Sequence, residues 1–140
     1  MALLFSYGSN YPEQLADRLG RDVETWPAYT DGFERVFRNY SARWGGGVAS
    51  LIPSPGTRTF GHVTRVSAED LRILDAREGV PASYLRTEIP VMITQGPTEA
   101  QVYIARSDEF HQPSRAYLEA VARTISEHWE PVDWRDIPIR

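Results

Sequence analysis

The sequence predicts an α+β fold: a small, mainly antiparallel β-barrel with flanking helices. Three observations lead to this prediction. The chain has 140 residues, which fits one domain spanning residues 1–140. Segments with strand periodicity and segments with helix periodicity are mixed along it. Most connections between the strands look like hairpins or short crossovers, which favour an antiparallel sheet that can close on itself.

The first 20 residues are typical of a strand, a turn and a helix. The apolar run 2–5 is a candidate buried strand, and residues 7–10 have turn chemistry. A helix then continues to about Leu19. Asn10 is predicted to cap this helix, and Glu13, three residues later, would complete a capping box.

The middle of the chain predicts more strands and a second helix. Apolar or alternating runs indicate three extended segments, at residues 33–39, 48–52 and 60–66. A capping box at Ser67 and Asp70 predicts a helix that starts directly after Ser67. This helix should end near Arg77, because Gly79 suits the left-handed conformation that terminates helices.

The last third of the chain predicts a hairpin followed by a helix. The clearest strand spans residues 84–93, and a turn at 95–98 leads back into a strand at 100–105. Tyr84 and Tyr103 lie on the faces opposite the aliphatic residues, where they could meet a ligand cavity, solvent or a second core. An i, i+4, i+8 stripe predicts the last helix, at Tyr117, Val121 and Ile125.

Composition excludes several classes of protein. Cysteine is absent, so disulfides, thiolate nucleophiles and cysteine-ligated metal sites are removed. All 15 basic residues are arginine, which excludes lysine Schiff-base chemistry and the Walker phosphate loop. A net charge of −4 lacks the basic footprint of a nucleic-acid binder, and no apolar run reaches membrane-spanning length. We therefore expect a cytoplasmic protein that binds neither nucleic acid nor a membrane.

The segment Phe5-Ser-Tyr-Gly-Ser-Asn10 is the first candidate for chemistry. A strand leads into a glycine turn, and the turn leads into a helix N-terminus. Such a turn leaves backbone N–H groups pointing outward, and the helix dipole favours an anion there. Gly8 would let a ligand approach the backbone closely. The same pattern also fits an ordinary strand-turn-helix with a cap.

Glu78 is the second candidate, because it falls at the C-terminal end of the predicted second helix. The negative end of the helix dipole disfavours its charged form, and a raised pKa would suit a general acid/base. The alternative is an exposed residue in an ordinary helix cap. Asp75 precedes Glu78 by three residues and could share its helix face, or it could pair with Arg72 or Arg77.

The remaining motifs point away from ligand chemistry. The stretch from Trp44 to Gly47 lacks the dinucleotide fingerprint and is typical of a glycine-rich bend into a strand. His62, His111 and His128 have no metal-ligand spacing, and no nucleophile elbow is present. We therefore expect neither a metal nor a cofactor.

Taken in order, the motifs resemble the γ-glutamylcyclotransferase family over residues 3–125. They are Phe5-Ser-Tyr-Gly-Ser-Asn10, Trp44 to Ala49, Gly61, Leu74-Asp75 with Glu78-Gly79-Val80, Tyr84, Val102-Tyr103, and Pro113-Ser114 with Tyr117-Leu118. The resemblance implies a closed or nearly closed β-barrel with helices around it. It also implies an enzyme that cleaves a small-molecule γ-glutamyl substrate to 5-oxoproline and a free amine. The use of arginine without lysine indicates a bacterial member with GC-rich DNA.

The resemblance also implies a site and a mechanism. It gives the catalytic role to Glu78. It gives substrate binding to Tyr7, Gly8, Ser9, Asn10, Tyr84 and Tyr103. The substrate's own α-amine attacks its γ-carbonyl, so no cofactor is required, and one glutamate with a raised pKa can act as base and then as acid.

Several alternatives stay open from the sequence alone. Tyr11 and residues 80–83 depart from the family pattern near the expected leaving-group side. The substrate could thus be a γ-glutamyl amino acid, a γ-glutamyl amine or a γ-glutamyl-protected biosynthetic intermediate such as an aminoglycoside precursor. The chain could instead bind γ-glutamyl ligands without catalysis, or hydrolyse them to glutamate. It could be a monomer or a homodimer, and its tail, with Trp129 and Trp134, could cover the active site or a partner.

Overall fold

The structure, a computed structural model, describes residues 1–140 as a closed five-stranded barrel with three α-helices. The strands are β1 (Ala2–Ser6), β2 (Thr25–Ser41), β3 (Gly46–Val66), β4 (Tyr84–Ile93) and β5 (Gly96–Ala105). The helices are α1 (Pro12–Leu19), α2 (Ala68–Glu78) and α3 (Arg115–Ser126), followed by a 3-10 turn at Trp134–Asp136. The predicted α+β class and barrel are confirmed. None of the helices has the length and apolar character needed to span a membrane.

The order of strands around the barrel is β1-β3-β2-β4-β5. The neighbours β1 and β3, β2 and β3, β2 and β4, and β4 and β5 are all antiparallel. The barrel closes through a parallel contact of β1 with β5, where Leu4 lies opposite Gln101. The sheet is therefore mainly antiparallel, as predicted.

The β2–β3 hairpin corrects one part of the prediction. The segments 48–52 and 60–66 are not separate strands but parts of the 21-residue strand β3. Proline and glycine between them suggested a loop. Instead, residues 54–57 form an excursion where the pairing shifts between Asp31 and Phe33, and pairing with β2 continues on both sides. Such bulges increase the local bend and twist, which helps a long hairpin wrap around a small barrel.

The start of α1 is a second correction. Tyr11 occupies the cap position and makes no side-chain cap hydrogen bond, so the predicted capping box of Asn10 and Glu13 does not form. The side-chain oxygen of Asn10 instead accepts a hydrogen bond from Arg18 Nη1 at 2.8 Å. A contact across two helical turns has thus replaced the local cap.

Helix α2 follows the prediction closely. Ser67 Oγ accepts a hydrogen bond from the Asp70 N–H at 3.0 Å, and the Asp70 carboxylate accepts one from the Ser67 N–H at 2.9 Å. Gly79, with φ of 69°, ends the helix in the left-handed conformation. Glu78 is therefore the last residue of α2, at the helix end where the sequence put it.

The core fills the barrel and the space between the barrel and α3. Tyr117, Val121 and Ile125 form the buried stripe of α3, as predicted. On β4, Ile89 and Val91 are buried, but so is Tyr84 on the opposite face, whereas Leu85 is exposed. Both faces of β4 therefore carry buried residues, because the Tyr84 side chain reaches the Ala49 carbonyl of β3 while Ile89 and Val91 lie in the core.

The C-terminal tail packs against the barrel. Trp129 Nε1 donates a hydrogen bond to the Gly61 carbonyl at 2.8 Å, and its ring packs on Phe60 and Tyr29. The Phe37 N–H donates to the carbonyl of Arg140 at 2.9 Å. No residue after 117 lines the cavity described below, so the tail does not cover it.

Candidate active site

A cavity of about 320 Å³ opens at one end of the barrel, where β1 leads into α1 and α2 ends. Its wall includes the turn that joins β2 to β3 and the tyrosines at the start of β4 and near the end of β5. The structure brings all seven residues singled out from the sequence into this wall: Tyr7, Gly8, Ser9, Asn10, Glu78, Tyr84 and Tyr103. They come from parts of the chain up to 96 residues apart.

The loop at residues 7–10 presents backbone donors that the protein itself does not use. The N–H groups of Gly8, Ser9 and Asn10 donate no hydrogen bond within the chain. The carbonyl groups are held on the other side: Arg35 Nε donates to the Tyr7 carbonyl at 2.8 Å, and Gln14 Nε2 donates to the Ser9 carbonyl at 2.8 Å.

These carbonyl contacts orient the free donors. A trans peptide is planar, with its C=O and N–H on opposite sides. Holding the Tyr7 carbonyl therefore fixes the direction of the Gly8 N–H, and holding the Ser9 carbonyl fixes that of the Asn10 N–H. The result is a preorganised anion-binding loop at the N-terminus of α1.

Gly8 has a packing reason as well as a binding reason to be glycine. A Cβ atom at this position would lie 3.0 Å from the Tyr117 hydroxyl and 3.2 Å from the Ala49 Cβ. A side chain here would require these two neighbours to shift by a few tenths of an ångström, whereas glycine fits without displacement.

Glu78 faces the loop from the end of α2, and Arg18 of α1 lies beside it. Arg18 Nη1 is 3.3 Å from Glu78 Oε1 and donates to Asn10 Oδ1 at 2.8 Å. The side chains of Glu78 and Arg18 are 19% and 8% exposed. Burial raises the pKa of Glu78, while the Arg18 charge and a hydrogen bond from Asn10 oppose that rise. The direction agrees with the sequence-based expectation, but the first cause is burial rather than the helix dipole.

Arg18 is a site residue that the sequence analysis missed. Burial lowers its pKa, and its Nε is buried without a hydrogen-bond partner. In sequence it is a basic residue in the last turn of an amphipathic helix, which is ordinary dipole compensation. Its partner Glu78 lies 60 residues away, so no local signal could have found the pair.

Tyrosine hydroxyls surround the backbone of Ala49 in β3. Tyr84 donates to the Ala49 carbonyl at 2.9 Å, and Tyr7 donates to the carbonyl of Tyr103. Tyr117 accepts from the Ala49 N–H at 2.7 Å. Burial raises the pKa of Tyr7, Tyr84 and Tyr117, so all three stay protonated at neutral pH.

Tyr117 differs from the other two tyrosines because its hydroxyl donates to no backbone carbonyl, and the Ser9 hydroxyl is its side-chain neighbour. Its hydroxyl can therefore donate into the cavity, directly beneath Gly8. From the sequence, Tyr117 is expected in the buried stripe of the last helix and matches a family motif, but no role in the site is predicted for it.

Asp75 is held in a structural network. Arg86 Nε and Nη2 donate to its two carboxylate oxygens at 2.8 and 3.2 Å, and the Tyr103 hydroxyl donates to Oδ1 at 2.8 Å. The suggested partners Arg72 and Arg77 are not used. Asp75 thus ties α2 to the β4–β5 hairpin and does not line the cavity, which leaves Glu78 as the only carboxylate in the wall.

The glycine-rich bend has the packing role expected from its sequence. Gly45 takes a left-handed conformation with φ of 73°, and a Cβ at Gly47 would lie 2.0 Å from the His111 carbonyl oxygen. These glycines do not line the cavity, but Trp44 does, with its ring 5.2 Å from that of Tyr117. No group of three or more His, Asp or Glu side chains is arranged to hold a metal ion.

Comparison with known proteins gives a consistent result. Residues 4–130 match the family model described as γ-glutamyl cyclotransferase, AIG2-like. The γ-glutamylcyclotransferase of Mus musculus is 30% identical, with 96% of this chain and 75% of the mouse protein covered. That of Homo sapiens is 27% identical with the same coverage. A solved structure of a γ-glutamyl cyclotransferase superposes with a TM-score of 0.87 and 26% identity, over 99% of this chain and 89% of that one. The chain therefore belongs to the γ-glutamyl cyclotransferase, AIG2-like family of enzymes.

Proposed function

We propose that this enzyme cleaves a γ-glutamyl amino acid or γ-glutamyl amine by cyclisation and releases 5-oxoproline and the free amine. One observation carries the proposal: three loop N–H groups without an acceptor in the chain and one largely buried carboxylate belong to residues that line the same cavity. The N–H groups suit the α-carboxylate of the glutamyl group. The Glu78 carboxylate suits its α-ammonium group.

The proposed chemistry is intramolecular. The α-amine of the glutamyl group attacks its own γ-carbonyl, a new C–N bond closes the five-membered ring, and the amide bond to the leaving amine breaks. Because nucleophile and electrophile belong to one molecule, orientation alone removes much of the barrier, with effective molarities of ~10⁵ M or more in well-oriented systems. The rigid loop supports this orientation from the carboxylate end.

Glu78 moves the proton in this proposal. Its carboxylate takes a proton from the α-ammonium group and later gives one to the leaving nitrogen. A pKa raised by burial favours both steps, because the carboxyl group then exchanges a proton more evenly with groups near neutral pH. The Arg18 guanidinium, which touches Oε1, orients the carboxylate and keeps enough of it ionised.

Tyr117 is the side chain best suited to stabilise the oxyanion. Negative charge develops on the γ-carbonyl oxygen during attack, and a preorganised donor in a water-poor site stabilises it. The Tyr117 hydroxyl is fixed by the Ala49 N–H, and it donates its own proton to no backbone carbonyl. Its place beneath Gly8 puts this proton next to the loop that would hold the substrate.

The test is release of 5-oxoproline, measured by mass spectrometry over a panel of γ-glutamyl amino acids, γ-glutamyl amines and glutathione. Wild type should release 5-oxoproline, and Glu78→Gln should lose a factor of about 10² to 10⁴ in kcat, the usual contribution of a general acid/base. Glu69→Gln is the matched control, because Glu69 lies on the same helix and pairs with exposed Arg72. Glutamate as the product would indicate hydrolysis, and binding without any product would indicate a binding module.

A further inference from the structure

The cavity is positively charged in a chain whose net charge is −4. Its wall contains three arginines, Arg18, Arg43 and Arg77, and a single carboxylate, Glu78. With Glu78 ionised, the wall therefore carries a formal charge of +2. A concave site lined by charges of one sign attracts ligands of the opposite charge. The positive charge of this cavity therefore favours a ligand with an anionic group.

Arg43 and Arg77 carry the unmatched charge. Nine of the other arginines pair with a carboxylate. Arg18 is one of these, because it contacts Glu78. Arg43 and Arg77 make no ion pair, and their guanidinium groups donate no hydrogen bond within the protein, although the chain has 19 acidic residues. Both are exposed, so they stand at the open side of the cavity.

The two arginines come from different elements. Arg77 lies on the last turn of α2, next to Glu78, and Arg43 lies in the turn that joins β2 to β3. That turn is anchored because the Trp44 ring packs 5.2 Å from Tyr117. The Arg43 guanidinium carbon is 5.7 Å from the centre of the Trp44 ring. The charges of Arg43 and Arg77 both lower the pKa of Arg18, so both act within the same site.

The glutamyl part of the substrate does not neutralise these cations. It carries one carboxylate and one ammonium group, and under the proposed function the loop takes the first and Glu78 the second. The excess positive charge therefore remains for the leaving group. A leaving group that has its own carboxylate would be attracted by this excess positive charge, whereas a cationic leaving group would be repelled.

We infer that Arg43 and Arg77 bind a carboxylate of the leaving group, which makes the substrate a γ-glutamyl amino acid or peptide rather than a neutral or cationic γ-glutamyl amine. The inference rests on the proposed function and narrows it. The leaving group departs toward the open side, where the two arginines stand. They select the substrate, while the loop and Glu78 perform the reaction.

The test compares two substrates that differ only in the charge at issue, γ-glutamyl-alanine and γ-glutamyl-alaninamide. Wild type should turn over the carboxylate substrate with a kcat/KM about tenfold or more above that of the amide, and 0.5 M NaCl should reduce the difference. Arg43→Gln with Arg77→Gln should remove most of this preference. Arg72→Gln is the control and should keep it, because Arg72 lies on the same helix but pairs with Glu69 outside the cavity.

Two results would overturn the inference: equal kcat/KM for the two substrates in wild type, or an unchanged preference in the double variant. Calorimetric binding of the same pair to Glu78→Gln tests the charge preference without turnover. A chain that releases no 5-oxoproline but still binds γ-glutamyl-alanine more tightly than its amide would refute the proposed reaction and support the arginine assignment. Release of 5-oxoproline from both substrates at equal kcat/KM would support the proposed reaction and refute the arginine assignment.

Discussion

At the scale of single residues, two opposing effects set the pKa of the Glu78 carboxyl group. Burial disfavours its charged form, and the Arg18 cation beside it favours that form. A carboxyl group in such a position is useful as a proton carrier but costly to bury in its charged state. The same residue that is proposed to do the chemistry should therefore reduce the stability of the fold at neutral pH.

Glu78→Gln should accordingly raise the melting temperature at pH 7 by about 2–4 °C, the size of a roughly 1 kcal/mol stabilisation. The sign follows from linkage. Since the folded pKa lies above the unfolded one, the folded protein binds more protons between the two, and the free energy of unfolding falls as pH rises through that window. Scanning calorimetry from pH 4 to 8 checks this. The difference in melting temperature between Glu78→Gln and wild type should disappear toward pH 4. A Glu78→Gln variant that melts below wild type at pH 7 would contradict this prediction.

Arg18→Met should move the acid limb of the kcat/KM profile to higher pH. Arg18 lowers the pKa of Glu78, so its removal raises that pKa further and leaves less of the base ionised in weakly acidic solution. The loss of activity should be larger at pH 6 than at pH 8. Arg21→Met is the control, because Arg21 pairs with Asp70 and not with Glu78. This variant should leave the acid limb of the kcat/KM profile at the wild-type pH. An equal loss at every pH would assign Arg18 a purely structural role.

At the scale of elements, the loop between β1 and α1 depends on a half-buried cation from β2, Arg35. Arg35 donates to the carbonyls of Tyr7 and Phe60 and has no carboxylate partner. Burial lowers its pKa to about 10, so it remains charged at pH 7. A cation held by carbonyl oxygens alone adds positive potential behind the three free N–H groups. It therefore orients the loop and strengthens the attraction for an anion.

Arg35→Met should raise KM about tenfold with a smaller change in kcat, because it releases the Tyr7 carbonyl and with it the direction of the Gly8 N–H. Steady-state kinetics with γ-glutamyl-alanine measures the split, and circular dichroism checks the fold. Arg38→Met is the control, since Arg38 donates to the carbonyls of Phe37 and Arg140 away from the loop. A change in kcat alone would mean that the loop does not hold the substrate.

Helices α1 and α2 illustrate which features of an element are encoded locally. The start and end of α2 follow from three nearby residues, Ser67, Asp70 and Gly79, whose hydrogen bonds lie within the helix and its caps. The cap of α1 was predicted by the same rule and was wrong, because Asn10 bonds to Arg18 instead. The Asn10 side chain therefore contributes a hydrogen bond to the cavity wall, and α1 begins without a side-chain cap.

At the scale of the whole molecule, the sequence predicted the class, the barrel and the residues that gather in the cavity, partly from patterns and partly from the family resemblance. It did not predict the contacts that join distant elements. Arg18 with Glu78, Arg86 with Asp75, and the Tyr117 hydroxyl with Ala49 each join elements that are far apart in the sequence. Strand β3 was split at its prolines because local turn signals are stronger in a sequence than the pairing that keeps a long hairpin together.

The C-terminal tail links stability to the barrel without taking part in the site. Trp129→Phe keeps an aromatic ring against Phe60 and Tyr29 but removes the hydrogen bond to Gly61, and should cost about 1 kcal/mol of unfolding free energy. Trp129→Ala also removes the packing of a half-buried ring and should cost roughly 2–3 kcal/mol in total. Urea denaturation measures both. The kcat of each folded variant should equal that of wild type, because the tail lies outside the cavity wall. A fall in kcat at unchanged stability would place Trp129 in the catalytic machinery after all.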